Sequence, residues 1–141
     1  MAGFSKSAYL QKMVLGAALR GGIFTPPTNL FLALSTADFG ESGAGVEISA
    51  SSYARRPISF DPPVDATGGS TGASCASSAD VQFATATEDW TSGTDKITHG
   101  AIFDAASGGN MLYYGPLSVP KEIKTGDRMT FDQGNVIVTE D

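Results

Sequence analysis

Among its 141 residues the chain has one cysteine, Cys75, and one histidine, His99. One cysteine cannot form an internal disulfide, which points to synthesis in a reducing cytoplasm. One histidine excludes zinc and iron centres built on paired histidines. Positive charge is also scarce, with 9 Lys and Arg against 15 Asp and Glu and a net charge of −6. Nucleic acid is therefore not expected as a partner, because phosphate binding needs clustered cations and Arg55-Arg56 is the only local basic feature. No apolar run approaches the roughly 18 residues of a membrane-spanning helix, so no membrane partner is expected. The apolar residues from Leu10 to Leu19 are interrupted by Gln11 and Lys12 and lead into Arg20, unlike a cleavable signal, so a secretory route is not expected either. Phosphate-cradling GxxxxGKS/T, GxGxxG and calcium-loop patterns are missing, and no cofactor is implied.

What the chain does have is glycine, 17 residues of it, in a composition leaning to Ser, Thr and Ala. That suits many turns and short strands better than a helical bundle. At this length residues 1–141 form one domain, able to bury roughly 68% of its unfolded surface.

The best-defined stretch is 97–115. Ile97 to Phe103 alternates with a period of two, Met111 to Tyr114 is a second strand-forming run, and Gly108-Gly109-Asn110 between them accept positive φ cheaply. A β-hairpin is predicted there. Towards the N-terminus, Ser5 or Ser7 can cap a helix over about 7–20, whose Leu10, Met13, Val14, Ala17 and Ala18 share one face. Gly21-Gly22 ends it and Pro26-Pro27 stops it resuming. That face packs on the protein's own sheet or, in the sharper reading, on a neighbouring subunit.

Leu30 to Leu34 is apolar on both faces, as a central strand requires. Val46 to Ala50 reads as extended, and Tyr53 to Phe60 carries Pro57, the mark of an edge or irregularity. Residues 61–78 offer little to bury and read as a flexible loop. Ala79, Val81 and Phe83 alternate as a half-buried strand. After the hairpin, Pro116 and Pro120 bracket a short segment, Lys121 to Lys124 resumes a strand, and Arg128 to Phe131 and Val136 to Thr139 follow turns. Seven or eight strands result, an antiparallel β-sandwich or jelly roll over about 29–139 with one N-terminal α-helix.

Catalytic chemistry finds no foothold. His99 lies within a strand, on alternation sharing a face with Ile97, Ala101 and Phe103, the setting of a structural histidine. A Cys75–His99 dyad would need the loop to fold onto the hairpin, and no nucleophile motif surrounds Cys75. Glu88, Asp89, Asp104, Asp127, Glu140 and Asp141 form no constellation, although glycosidase carboxylates converge only in three dimensions. Trp90 with Tyr113 or Tyr114 could stack on a sugar, but the two tyrosines point to opposite faces of a regular strand.

SKSAYLQKMVLGAALRGG, PPTNLFLALSTAD, SSYARRPISF, VQFATATEDW, THGAIFDAASGGNMLYYGPLSVPKEIKTGD and the ending VIVTED together resemble a family of small tailed-bacteriophage virion proteins. Some members carry the label tail-fibre protein, and similar chains look like jelly-roll cement proteins that decorate phage capsids. The resemblance implies no catalytic residues. It implies a capsid cement or decoration protein on the capsid exterior, assembled in the host cytoplasm, binding major capsid protein boundaries and copies of itself. Anchors would be Phe4, Tyr9, Arg55, Arg56 and Trp90, since interface energy concentrates in aromatic and Arg residues. The alternatives are a tail-fibre or baseplate component and, in another class, a glycan-binding module.

Overall fold

The structure, a computed structural model, describes residues 4–65 and 72–140. It is mainly β with one helix near the N-terminus, as the turn-rich composition implies. In chain order the elements are β1 (Ser5–Lys6), α1 (Ala8–Arg20), β2 (Leu30–Ser35), β3 (Arg56–Ile58), β4 (Val64–Asp65), β5 (Ala73–Ala76), β6 (Val81–Gln82), β7 (Ile97–Phe103), β8 (Met111–Lys121), β9 (Thr130–Phe131) and β10 (Ile137–Glu140). All pairings are antiparallel, in a five-stranded sheet ordered β1-β8-β7-β2-β3, a three-stranded sheet β10-β5-β4 and a two-stranded sheet β6-β9.

Strand β2 is interior, with β7 on one side and β3 on the other, and it buries both of its faces. Leu32 and Leu34 enter the main core with Ile58, Ile97, Ile102 and Leu117, covered from the smaller sheets by Val81, Phe83, Val136 and Val138. Ala33 points the other way, into a smaller cluster with Phe39, Ala101, Phe103 and Met111. The hairpin expected at 97–115 is β7 and β8, joined by a loop in which Gly108 (φ 61°) and Gly109 (φ 72°) take the left-handed conformation. Asp104 closes that loop by accepting from the Asn110 backbone N–H (2.7 Å) and side-chain amide (3.0 Å).

Four sequence expectations need correction. Among the described residues ten strands form rather than seven or eight, because two-residue pieces such as β1 and β4 carry too little pattern to be seen. Residues 61–78 are no plain loop: β4 and β5 lie there, and β5 is the middle strand of its sheet, between β4 and β10. Its small residues Ala73, Ser74, Cys75 and Ala76 are half-buried and held by ladder bonds, which no hydrophobic pattern reports. The part of that loop at 66–71 lies outside the described residues. β8 runs on through Pro116 and Pro120, since β1 reaches only Tyr113 and Tyr114 and leaves the rest of β8 an outer edge that tolerates proline. Finally, Ile97 does not share a face with Ala101 and Phe103. A register shift between Ile97 and His99 breaks the alternation and turns Ile97 into the main core beside Ile102.

Helix α1 starts where Ser7 caps it, its Oγ accepting from the Leu10 N–H at 3.1 Å. Gly21, left-handed at φ 65°, ends it, with the Gly22 N–H donating to the Gly16 carbonyl at 3.0 Å. The Ser7 N–H donates to the Leu112 carbonyl, and the Ala8 N–H to the Glu41 carbonyl, so the start of the helix is pinned to β8 and the 38–45 loop.

Candidate functional site

The residues with chemical potential are scattered and occupied. His99 stands in β7 opposite Ser35 and Pro116, its Nδ1 2.8 Å from the Thr98 hydroxyl. Cys75 sits in β5, in a different sheet, so no dyad assembles. The carboxylates pin loops. Glu88 accepts from the Ser51 hydroxyl and backbone N–H, and these bonds hold it below its ordinary pKa. Asp89 accepts from the Thr125 N–H (2.8 Å) and hydroxyl (3.0 Å), with the same effect. Among the described residues no group of His, Cys, Asp and Glu is arranged to hold a metal ion. No helix there is long and apolar enough to cross a membrane.

Trp90 offers no sugar platform. It is 6% exposed, packed edge-on against Tyr53 and Phe83, and its indole N–H donates to Ser52 Oγ at 2.8 Å. Tyr113 and Tyr114 do face opposite ways, into the main core and the smaller cluster respectively. Tyr113 donates to Glu140 at 2.6 Å, and Lys6 reaches the other carboxylate oxygen at 2.8 Å, tying β1, β8 and β10 together. Burial first, then this carboxylate, pushes the Tyr113 hydroxyl far up. For Glu140 burial acts upward, but the bonds from Lys6 and Tyr113 outweigh it and leave its pKa lowered.

The five anchor candidates divide. Phe4 and Trp90 are buried in the protein's own core. Arg55 is committed internally: it grips both Glu47 oxygens (2.8 and 2.9 Å), donates to the Ala105 (2.9 Å) and Gly108 (2.8 Å) carbonyls, and lies 3.7 Å over the Phe103 ring. Tyr9 and Arg56 remain at the surface.

The surface feature that stands out is α1. Only Leu10 is buried, Met13 and Ala17 are half-buried, and Val14 and Ala18 are exposed, so the packed face is narrower than the sequence spacing suggested. Leu15 (58% exposed) and Leu19 (75%) point outward one turn apart, followed by Ile23 (87%). The sequence did carry this signal, an i, i+4 leucine pair opposite Leu10 and Met13. The inward face alone is enough to predict a helix, so the spacing by itself does not single out the outward pair. A second feature is concave: a cavity of about 370 Å³ between the five-stranded and three-stranded sheets, walled by Leu30, Phe60, Cys75, Ile102, Leu112 and Val138, with Tyr113 and Glu140 at its polar end.

Residues 5–139 match the family model described as Podophage GP4 fiber I protein gp80. The chain belongs to the gp80 fibre family. It is thus a bacteriophage virion structural protein, a fibre component and not an enzyme. Membership overturns the capsid cement reading, because it assigns the chain to a fibre rather than to a shell. The resemblance to phage virion proteins holds, but composition and periodicity suit a β domain at either place in the particle and did not choose between them. No curated protein matches the chain.

Proposed function

We propose that the protein is a tail-fibre subunit that works by assembly, docking to other virion chains, copies of itself included, through the outward face of α1. The observation that carries this is the pair Leu15 and Leu19, one turn apart on the helix and facing solvent, with Ile23 exposed just beyond the helix end. Contiguous exposed apolar residues on a soluble domain mark interaction surfaces. The helix suits the task mechanically, since its first turn is held to β8 and the 38–45 loop while its last two turns project the leucines.

Two measurements on phage particles test this. Gold-labelled antibody against the chain should decorate the tail at low copy number, and dense labelling of the head would refute the assignment. A Leu15→Ser/Leu19→Ser variant should fold normally yet be missing from particles; full incorporation would remove α1 from the interface.

A further inference from the structure

We infer that copies of this chain associate head to tail, the Leu15–Leu19 face of α1 from one copy entering the apolar cavity beside Cys75 on the next. The inference rests on the assembly reading above and names the partner surface.

Shape is the first argument. The helix presents a convex apolar ridge, and the cavity of about 370 Å³ is concave and apolar, falling within the range that accommodates small ligands or a few side chains. No residue of α1 lines it, so the protein's own helix does not fill it.

Charge is the second. Residues 8–20 contain Lys12 and Arg20 and no acid; since the whole chain is −6 and the helix +2, the remainder carries −8. Neither Lys12 nor Arg20 has an ion-pair partner among the described residues. Asp61 and Asp65 flank Pro63 of the cavity wall, Asp65 pairing with Ala73 of the same wall, and they too lack ion-pair partners there. The basic helix thus has acidic residues next to the cavity wall, Asp61 and Asp65, to meet. Symmetric pairing of two α1 helices would instead set Lys12 and Arg20 against each other, along a helix only about 20 Å long. That is a small contact beside the roughly 800 Å² per partner of a stable interface.

A contact between two different patches of the same molecule is heterologous, and it propagates into a ring or an open filament instead of stopping at a dimer. Such a contact suits a fibre component.

The lone native cysteine makes the test clean. Leu19 is largely exposed, so Leu19→Cys should fold, as a thermal melt will check. Oxidation with copper phenanthroline, or a short bismaleimide, should then link residue 19 of one copy to Cys75 of the next. The expected result is a ladder of multimers on a non-reducing gel, with the 19–75 peptide identified by mass spectrometry and the ladder abolished in Leu19→Cys/Cys75→Ser. Cross-links found only as 19–19 or 75–75 peptides, or a chain that stays uncrosslinked, overturn the inference. Independently, Lys12→Glu/Arg20→Glu should weaken self-association about five-fold, as expected for exposed ion pairs. Asp61→Lys/Asp65→Lys should restore it, and failure of that rescue counts against the charge argument. If the cross-link fails while gold still marks the tail, the docking geometry is wrong and the fibre assignment stands.

Discussion

Arg55 gives the most demanding test of how this fold is held together. Its side chain is 8% exposed and joins the strand β2–β3 connection to the hairpin loop by four hydrogen bonds, two to the Glu47 carboxylate and one each to the Ala105 and Gly108 carbonyls. Tyr53, its hydroxyl pushed far up by burial and so never a competing anion, donates to the same Glu47 oxygen at 2.9 Å. Arg55→Ala strands the carboxylate and both carbonyls and uncovers the Phe103 ring. Breaking a buried pair costs about 3–5 kcal/mol. The Glu47 side chain is 29% exposed, so water recovers part of that, and about 3 kcal/mol is the working figure. For a chain of this size that lowers Tm by about 10 °C. Arg55→Lys should cost about half as much, because a point charge cannot serve Glu47 and two carbonyls at once. Urea unfolding at constant m-value measures the loss, and a cycle with Glu47→Gln should give a coupling of about 1–2 kcal/mol. If Arg55→Ala costs less than about 1 kcal/mol, the clamp is not what holds the 104–110 loop, and the reasoning fails.

Trp90→Ala should destabilise by about 3–5 kcal/mol by emptying the aromatic cluster with Tyr53 and Phe83, measured by chemical denaturation; near-neutral behaviour would reinstate a surface role for the ring. Gly109→Ala should cost more than Gly108→Ala in thermal melts. Both residues have positive φ, but only at Gly109 would a new Cβ fall 2.5 Å from Asp104 Oδ1 and 2.6 Å from the Ala105 Cβ. Acid should weaken the protein through Glu88 and Asp89. Their folded-state pKa values are lowered, so the stability they contribute is complete above the unfolded values near 4 and lost as pH falls through the folded ones. Glu88→Gln/Asp89→Asn should flatten the acid limb of a stability–pH curve while leaving the neutral region similar in shape. His99→Gln should leave assembly intact, whereas Ala101→Pro, fully buried and paired with both Ala33 and Tyr114, should abolish folding as judged by circular dichroism.

Local physics made much of this protein legible without coordinates. The Ser7 cap and the Gly21 stop bound the helix, alternation and Gly108-Gly109 define the central hairpin, and the two-faced apolar run at Leu30 to Leu34 marks an interior strand. Each depends on neighbours a few residues away. The structural role came from elsewhere, from the family resemblance carried by nearly the whole chain and from the fibre family model that matches residues 5–139. Long-range packing decided the rest. Whether Ala73 to Ala76 is loop or central strand depends on β10, over 60 residues later, supplying the ladder partner. Whether Arg55 and Trp90 face a partner or the interior depends on Glu47, Ser52 and the hairpin loop closing around them. The same closure left Leu15, Leu19 and Ile23 uncovered, because burial is a property of which surfaces meet, and the helix meets the sheet along one narrow face only.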